Sequence, residues 1–153
     1  GKTRRLVTNS KKDSFFGSDF SYGDILLPRV DQYSHTLLRS EALGGEDCYV
    51  IESVPKDDAV KLDAGYSKKT TWVRKKNFLD LKTEYFDIYG QRLKTEIATE
   101  HKQVDPAQHR WLALRRVMEN HQTGHKTIMT LDAINVGMPI ADATFSTRTL
   151  EHE

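Results

Sequence analysis

The chain has 153 residues, the size of one domain, with 37% hydrophobic residues and enough Phe, Tyr and Trp to build a core. Lys and Arg number 23 against 22 Asp and Glu, a formal charge of +1 that leaves no net field to draw the chain onto nucleic acid or an anionic membrane. Cys48 is the single cysteine, which excludes an intrachain disulfide and a cysteine-rich metal site, and no apolar run approaches the roughly 18 residues of a membrane-spanning helix.

The opening Gly1-Lys2-Thr3-Arg4-Arg5 carries no Met and no signal peptide, and reads as a processed or truncated start. Asp13 to Tyr22, rich in aromatic residues, Gly and Ser, predicts a tight loop, and Asp24 to Leu27 adds one helical turn before Pro28. From Tyr33 onward the pattern is short β-type runs at the spacing of an antiparallel meander. Seven strands are expected, at Tyr33 to Ala42, Glu46 to Val54, Ser67 to Lys75, Phe78 to Asp87, Gln91 to Val104, Arg110 to Asn120 and His125 to Val136. Gly44-Gly45, Lys76-Asn77, Tyr89-Gly90, Asp105-Pro106 and Thr123-Gly124 fall between the runs as turns, so adjacent strands are expected to be hairpin partners. Pro55 to Gly65 is charged and reads as a loop with scope for movement, and Pro139 to Leu150 predicts a short terminal helix.

Alternation sets Leu79, Leu81, Thr83 and Tyr85 against Asp80, Lys82 and Glu84. It also sets Leu93, Thr95, Ile97 and Thr99 against Arg92, Lys94, Glu96 and Glu100. One apolar face and one wet face follow. In the sixth run Arg116 interrupts Leu112, Leu114 and Met118, so both faces there are expected to be partly covered.

Catalytic chemistry finds no support in these residues, and no cofactor is expected. His121 and His125 have a metal-ligand spacing, but the intervening Gln122-Thr123-Gly124 reads as a turn and no Glu follows the first His. Asp19 and Asp24 are better explained as turn and cap residues than as an acid and base pair. There is no phosphate-binding Gly loop and no nucleophile elbow. An apolar sheet face remains, which either packs as an ordinary core or curls around a hydrophobic guest.

The stretch Asp13-Ser-Phe-Phe-Gly-Ser-Asp-Phe-Ser-Tyr-Gly-Asp24 resembles the signature of the outer membrane lipoprotein-sorting protein family, in the LolA/LolB-like superfamily. The signature loop is Gly17, Ser18, Asp19, Phe20, Ser21 and Tyr22, with Gly23 where the family more often has Glu. Cys48 to Lys56, Trp72-Val73 and Phe145 to Glu151 are similar to the family as well, in the same order. The resemblance implies a mainly β fold, a curved antiparallel meander forming a LolA-like half-barrel with a short C-terminal helix. It also implies a non-enzymatic periplasmic carrier that binds a lipid or lipidated protein in an apolar cavity and takes part in transport to the outer membrane. Acyl chains are the implied ligand and an exporter of the resistance-nodulation-division class the implied partner. The rival reading is an adaptor domain that docks on such an exporter and holds no guest.

By bulk and alternation, Trp72, Leu81, Tyr85, Ile97, Leu112, Leu114, Met118, Met129 and Leu131 are expected to line the cavity. The charged segment Pro55 to Gly65, or the aromatic one around Phe15 and Phe16, is expected to act as its lid. Family members carry an N-terminal helix and strands ahead of the Arg-Arg-Leu found here at Arg4 to Leu6. Residues 1–153 are therefore expected to form a single domain truncated on its N-terminal side, with an open sheet edge that invites self-association.

Overall fold

The computed structural model describes residues 10–26 and 29–131. Seven antiparallel strands form one sheet whose spatial order is the chain order, as the meander predicts. They are β1 (Tyr33–Leu43), β2 (Glu46–Pro55), β3 (Lys68–Arg74), β4 (Asp80–Phe86), β5 (Arg92–Asp105), β6 (Arg110–Asn120) and β7 (Lys126–Thr130). The expected terminal helix at Pro139 to Leu150, and the part of the last predicted strand beyond Leu131, lie outside the described residues. Gly44 and Gly45, with φ of 59° and 82°, form a two-residue turn between the paired Leu43 and Glu46, a conformation that matches strand twist and that a side chain would resist.

Two short helices accompany the sheet. α1 (Tyr22–Ile25) supplies the single turn expected near Asp24. α2 (Asp58–Ala64) replaces the loop expected at Pro55 to Gly65. Its signals are present in the sequence: Asp57 caps it by accepting from the Val60 N–H at 2.9 Å, and Gly65 ends it in the left-handed conformation with its N–H donated to the Lys61 carbonyl. Charge obscured them, because Ala59, Val60, Leu62 and Ala64 leave only a narrow apolar stripe, of which Ala64 alone is buried.

Register fixes which side chains share a face. Thr71 and Thr83 are paired, as are Lys69 and Tyr85, Thr83 and Glu96, Tyr85 and Lys94, Glu96 and Met118, and Arg116 and Met129. All of these turn to the inner face, which residues 10–26 and α2 partly cover. Phe20, Ala64, Tyr66, Tyr85 and Met118 form its buried core, with Phe15, Leu93 and Met129 packed against them.

The outer face has a separate cluster of Cys48, Val50, Trp72 and Leu81, with Leu43 at its margin. A register shift between Trp72 and Val73 places Leu81 with Trp72 on this side, while Asp80 turns inward to Arg116. Lys82 lies 4.3 Å over the Trp72 ring and Glu41 accepts from its indole N–H, so long polar side chains roof this cluster.

In β5 the parity is the reverse of the one expected. Lys94, Glu96 and Ala98 are buried on the inner face, while Ile97, paired with Lys82, faces outward and is 39% exposed. A second register shift, between Tyr85 and Phe86, leaves Leu93 extra and lets it pack inward beside Lys94. Two buried charges thus take positions that alternation assigns to the wet face, because each has a partner there. Met118→Ala, which empties a fully buried site, is expected to cost about 2–5 kcal/mol, and Ile97→Ala under about 1 kcal/mol, read by urea unfolding.

Candidate functional site

The segment before β1 is fastened to the far half of the sheet. Gly17 (φ 74°) and Phe16 (φ 51°) turn the chain sharply, and the Ser18 hydroxyl donates to the Phe15 carbonyl at 2.6 Å and holds that turn. This reversal drops Phe20 into the core, where it is 1% exposed. Asp24 then makes the central fastening. Its carboxylate meets Lys94 Nζ at 2.6 Å, accepts from Tyr66 OH at 2.7 Å, and accepts from the Ser21 N–H at 2.7 Å.

Both charged partners are almost wholly buried, at 6% and 1% side-chain exposure. Lys94 Nζ also donates to the Asp19 carbonyl oxygen at 2.8 Å and lies over the rings of Tyr66 and Tyr85. Asp19 accepts from Thr127 Oγ1 at 2.7 Å and lies 2.7 Å from His125 Nδ1, tying the segment to β7. His121 instead meets Thr95 Oγ1 at 2.7 Å, so the two imidazoles serve different neighbours.

The signature loop is therefore a clasp. Within it Phe20 is the apolar plug, Ser18 the turn brace, Asp19 the tie to β7 and Ser21 the polar neighbour of Tyr66, at 3.1 Å. Tyr22 packs edge-on against Phe15.

Beside the clasp the inner face is open, leaving a cleft of about 600 Å³. Phe20, Tyr33, Tyr66, Tyr85, Leu112 and Met129 form its apolar wall, and Ile25 and Leu26 its exposed rim. Polar floor residues are Thr71, Thr83, Lys69, Asp80, Glu96 and Arg116. Arg116 bridges two carboxylates, Asp80 at 2.9 Å and Glu96 at 2.6 Å. Burial opposes the charge on Arg116, but Asp80 and Glu96 hold its pKa above the ordinary value. Burial raises the Glu96 carboxyl above its ordinary 4.5, with Arg116 drawing it down and Asp80 pushing it up. Burial also lifts the Tyr66 and Tyr85 hydroxyls well above 10.0, reinforced by the Asp24 charge. Both remain neutral phenols near neutral pH.

Of the residues expected at the cavity, Tyr85, Leu112 and Met129 stand at the cleft wall, and Met118 lies in the core beneath it. Leu114 is half-buried on the same strand face as Leu112, and its carbonyl accepts the N–H of Leu131, which is 47% exposed just past β7. Trp72, Leu81 and Ile97 are on the opposite face, away from the cleft. Sequence reasoning named Phe20 in the signature loop but not at the cleft, and missed Tyr33, Tyr66 and the polar floor. For Arg116 a signal existed, since it interrupts an otherwise apolar run.

An open antiparallel sheet, clasped on one face by the segment preceding it and cleft beside the clasp, defines the LolA-like half-barrel class. A family model described as "-like: Uncharacterized protein" matches residues 1–152. Among solved structures, an outer membrane lipoprotein-sorting protein domain from Vibrio parahaemolyticus is 30% identical with a TM-score of 0.76, the match covering 93% of this chain and 58% of that one. A DUF1329 family protein from Desulfovibrio piger is also 30% identical, with a TM-score of 0.82 over 96% of this chain and 59% of that one. A LolA superfamily protein from Nitrosomonas europaea shares the fold at 23% identity and a TM-score of 0.68, over 96% and 64%. No curated protein matches the chain significantly. The chain belongs to the family whose model it matches over residues 1–152, shares its fold with these three solved structures, and spans less than two thirds of the length of each.

Two outcomes follow from the charges. Asp24→Asn strands Lys94 in the core and is expected to cost about 3–5 kcal/mol in urea unfolding; adding Lys94→Met should recover more than half of it. A carboxyl whose folded pKa is raised binds protons more tightly in the native state. Its contribution therefore weakens as pH climbs from about 4.5 through the folded value. Glu96→Gln should flatten the fall in thermal midpoint over that window, measured by calorimetry in steps from pH 4.5 to 7.

Proposed function

We propose that this chain forms the ligand-holding part of a periplasmic carrier that binds a lipid or lipidated protein and takes part in lipoprotein or lipid transport to the outer membrane. The observation that carries the reading is the cleft of about 600 Å³ beside the clasp, with an aromatic and aliphatic wall that β4, β6, β7 and α2 help to hold in place. That volume is within the range of about 300–1,000 Å³ typical of small-molecule sites.

The reading is one of grip without chemistry. Each methylene buried against Tyr85, Leu112 or Met129 contributes about 0.8 kcal/mol, so an acyl chain is held by contact area alone. Similarity to a lipoprotein-sorting protein domain supports the same role and the periplasmic setting, and an exporter of the resistance-nodulation-division class is the partner proposed to receive or supply the cargo. Among the described residues no helix is long and apolar enough to cross a membrane.

A second copy is proposed as a further partner. β1 is an eleven-residue strand with no neighbour on its outer side among the described residues, and Leu37 and Leu38 on it are 59% and 44% exposed. Unpaired strand edges of this length pair with one another.

One experiment reads both proposals. Native mass spectrometry of the purified protein is expected to show an adduct of lipid mass and a dimer at high micromolar concentration. Met129→Asp, which sets a carboxylate in the wall, should lower the adduct at least several-fold without changing the dimer. A bare monomer that extraction shows to be lipid-free would sink both.

A further inference from the structure

The charges at the cleft are matched with one exception. Lys11 meets Asp63 at 3.4 Å, Arg29 meets Asp31 at 3.3 Å, Asp24 meets Lys94 at 2.6 Å, and Asp80 and Glu96 share Arg116. Lys69 has no carboxylate within ion-pair distance among the described residues, although it lines the same cleft. Its position follows from register: it stands on β3 between Ser53 of β2 and Tyr85 of β4, on the inner face. The ammonium group lies 4.9 Å over the Tyr33 ring, and Ser53 is taken up by His35 Nδ1 at 2.8 Å.

A half-buried ammonium group that meets an aromatic face but no anion is poorly solvated. Burial lowers its pKa, with Asp24 and Glu96 working against the shift from a distance. Those two carboxylates cannot approach, since each is held by its own cation. What would satisfy Lys69 is an anion arriving with the guest. The neighbouring wall of Tyr33, Tyr85, Leu112 and Met129 offers the guest's other half an apolar path.

We propose that the cleft binds a single-chain amphiphile with an anionic head group, the head on Lys69 Nζ and the chain along Tyr85, Leu112 and Met129. This rests on the carrier reading above and narrows its ligand class. The ion pair is the selective element and the chain supplies most of the affinity.

Titration calorimetry of the full chain at pH 7 with laurate and with dodecanol, which share a chain and differ in the head, tests the assignment. Laurate is expected to bind roughly tenfold more tightly, a difference of about 1.4 kcal/mol. Lys69→Met should abolish that preference while leaving dodecanol within about twofold, and Lys69→Arg should restore it. Acetate and inorganic phosphate, the head without the chain, should not compete at millimolar concentration. Competition by either would reassign Lys69 to a free anion and overturn the proposal. Equal binding of laurate and dodecanol by the wild-type protein removes the head-group assignment and leaves the carrier reading standing, independently of how the variants fold. Binding of neither removes both.

Discussion

The buried ion pair between Asp24 and Lys94 is the constraint on which the rest of this molecule depends. A seven-stranded sheet with one apolar face needs a cover, and the described cover is short: a loop, one helical turn and α2. Apolar contact alone would let so small a cover slide. A lysine on β5 meeting an aspartate 70 positions earlier in the chain fixes the cover at one point. Tyr66 and Ser21 supply the remaining hydrogen bonds that a carboxylate taken out of water requires. Phe20, Tyr66 and Met118 pack where that point allows. Among the described residues the cleft lies where the cover, so anchored, ends.

The same constraint separates the two roles of the inner face. Around Lys94 the ammonium group, the Asp24 carboxylate and the Tyr66 hydroxyl satisfy one another, and the site is buried core. Further along, toward β2 and β3, Lys69 and Tyr33 line the cleft left open among the described residues. The expected lids take different forms in the structure: the aromatic segment is fastened by Asp19 and Asp24, and the charged segment is a capped helix packed on Phe20 through Ala64. Gly65, at the end of that helix, comes so close to Lys12 that a Cβ there would lie 2.8 Å from the lysine's own. The helix and the clasp thus share a contact that only glycine permits.

Strand order and turns were legible in the sequence because Gly44-Gly45, Tyr89-Gly90 and Thr123-Gly124 have few other uses between alternating runs. The β4 alternation at Thr83 and Tyr85 gave the inner face correctly. In β5 the rule gave the wrong side, since alternation treats Lys94 and Glu96 as water-seeking and cannot see Asp24 or Arg116 waiting across the sheet. Leu81 and Trp72 were misplaced for a related reason. A register shift between β3 and β4 moves Leu81 to the outer face, and the resulting cluster is roofed by Lys82 and Glu41, side chains that read as solvent-facing. Site residues were therefore partly visible: aromatic and aliphatic positions on β4, β6 and β7 carried a signal. The polar floor, defined by pairing across strands, carried almost none.

The strictly sequential strand order has a kinetic side. Each hairpin closes a short loop, so the sheet can zip from any turn at little entropic cost. The clasp is different: Asp19 meets Thr127 across 108 residues, a contact that gains nothing until β5, β6 and β7 are already side by side. A contact that forms only after the main barrier, when weakened, hastens unfolding far more than it slows folding. Sequence separation thus sets the clasp apart from the hairpins beneath it: the strands can pair without the clasp, and the clasp has nothing to close on without the strands.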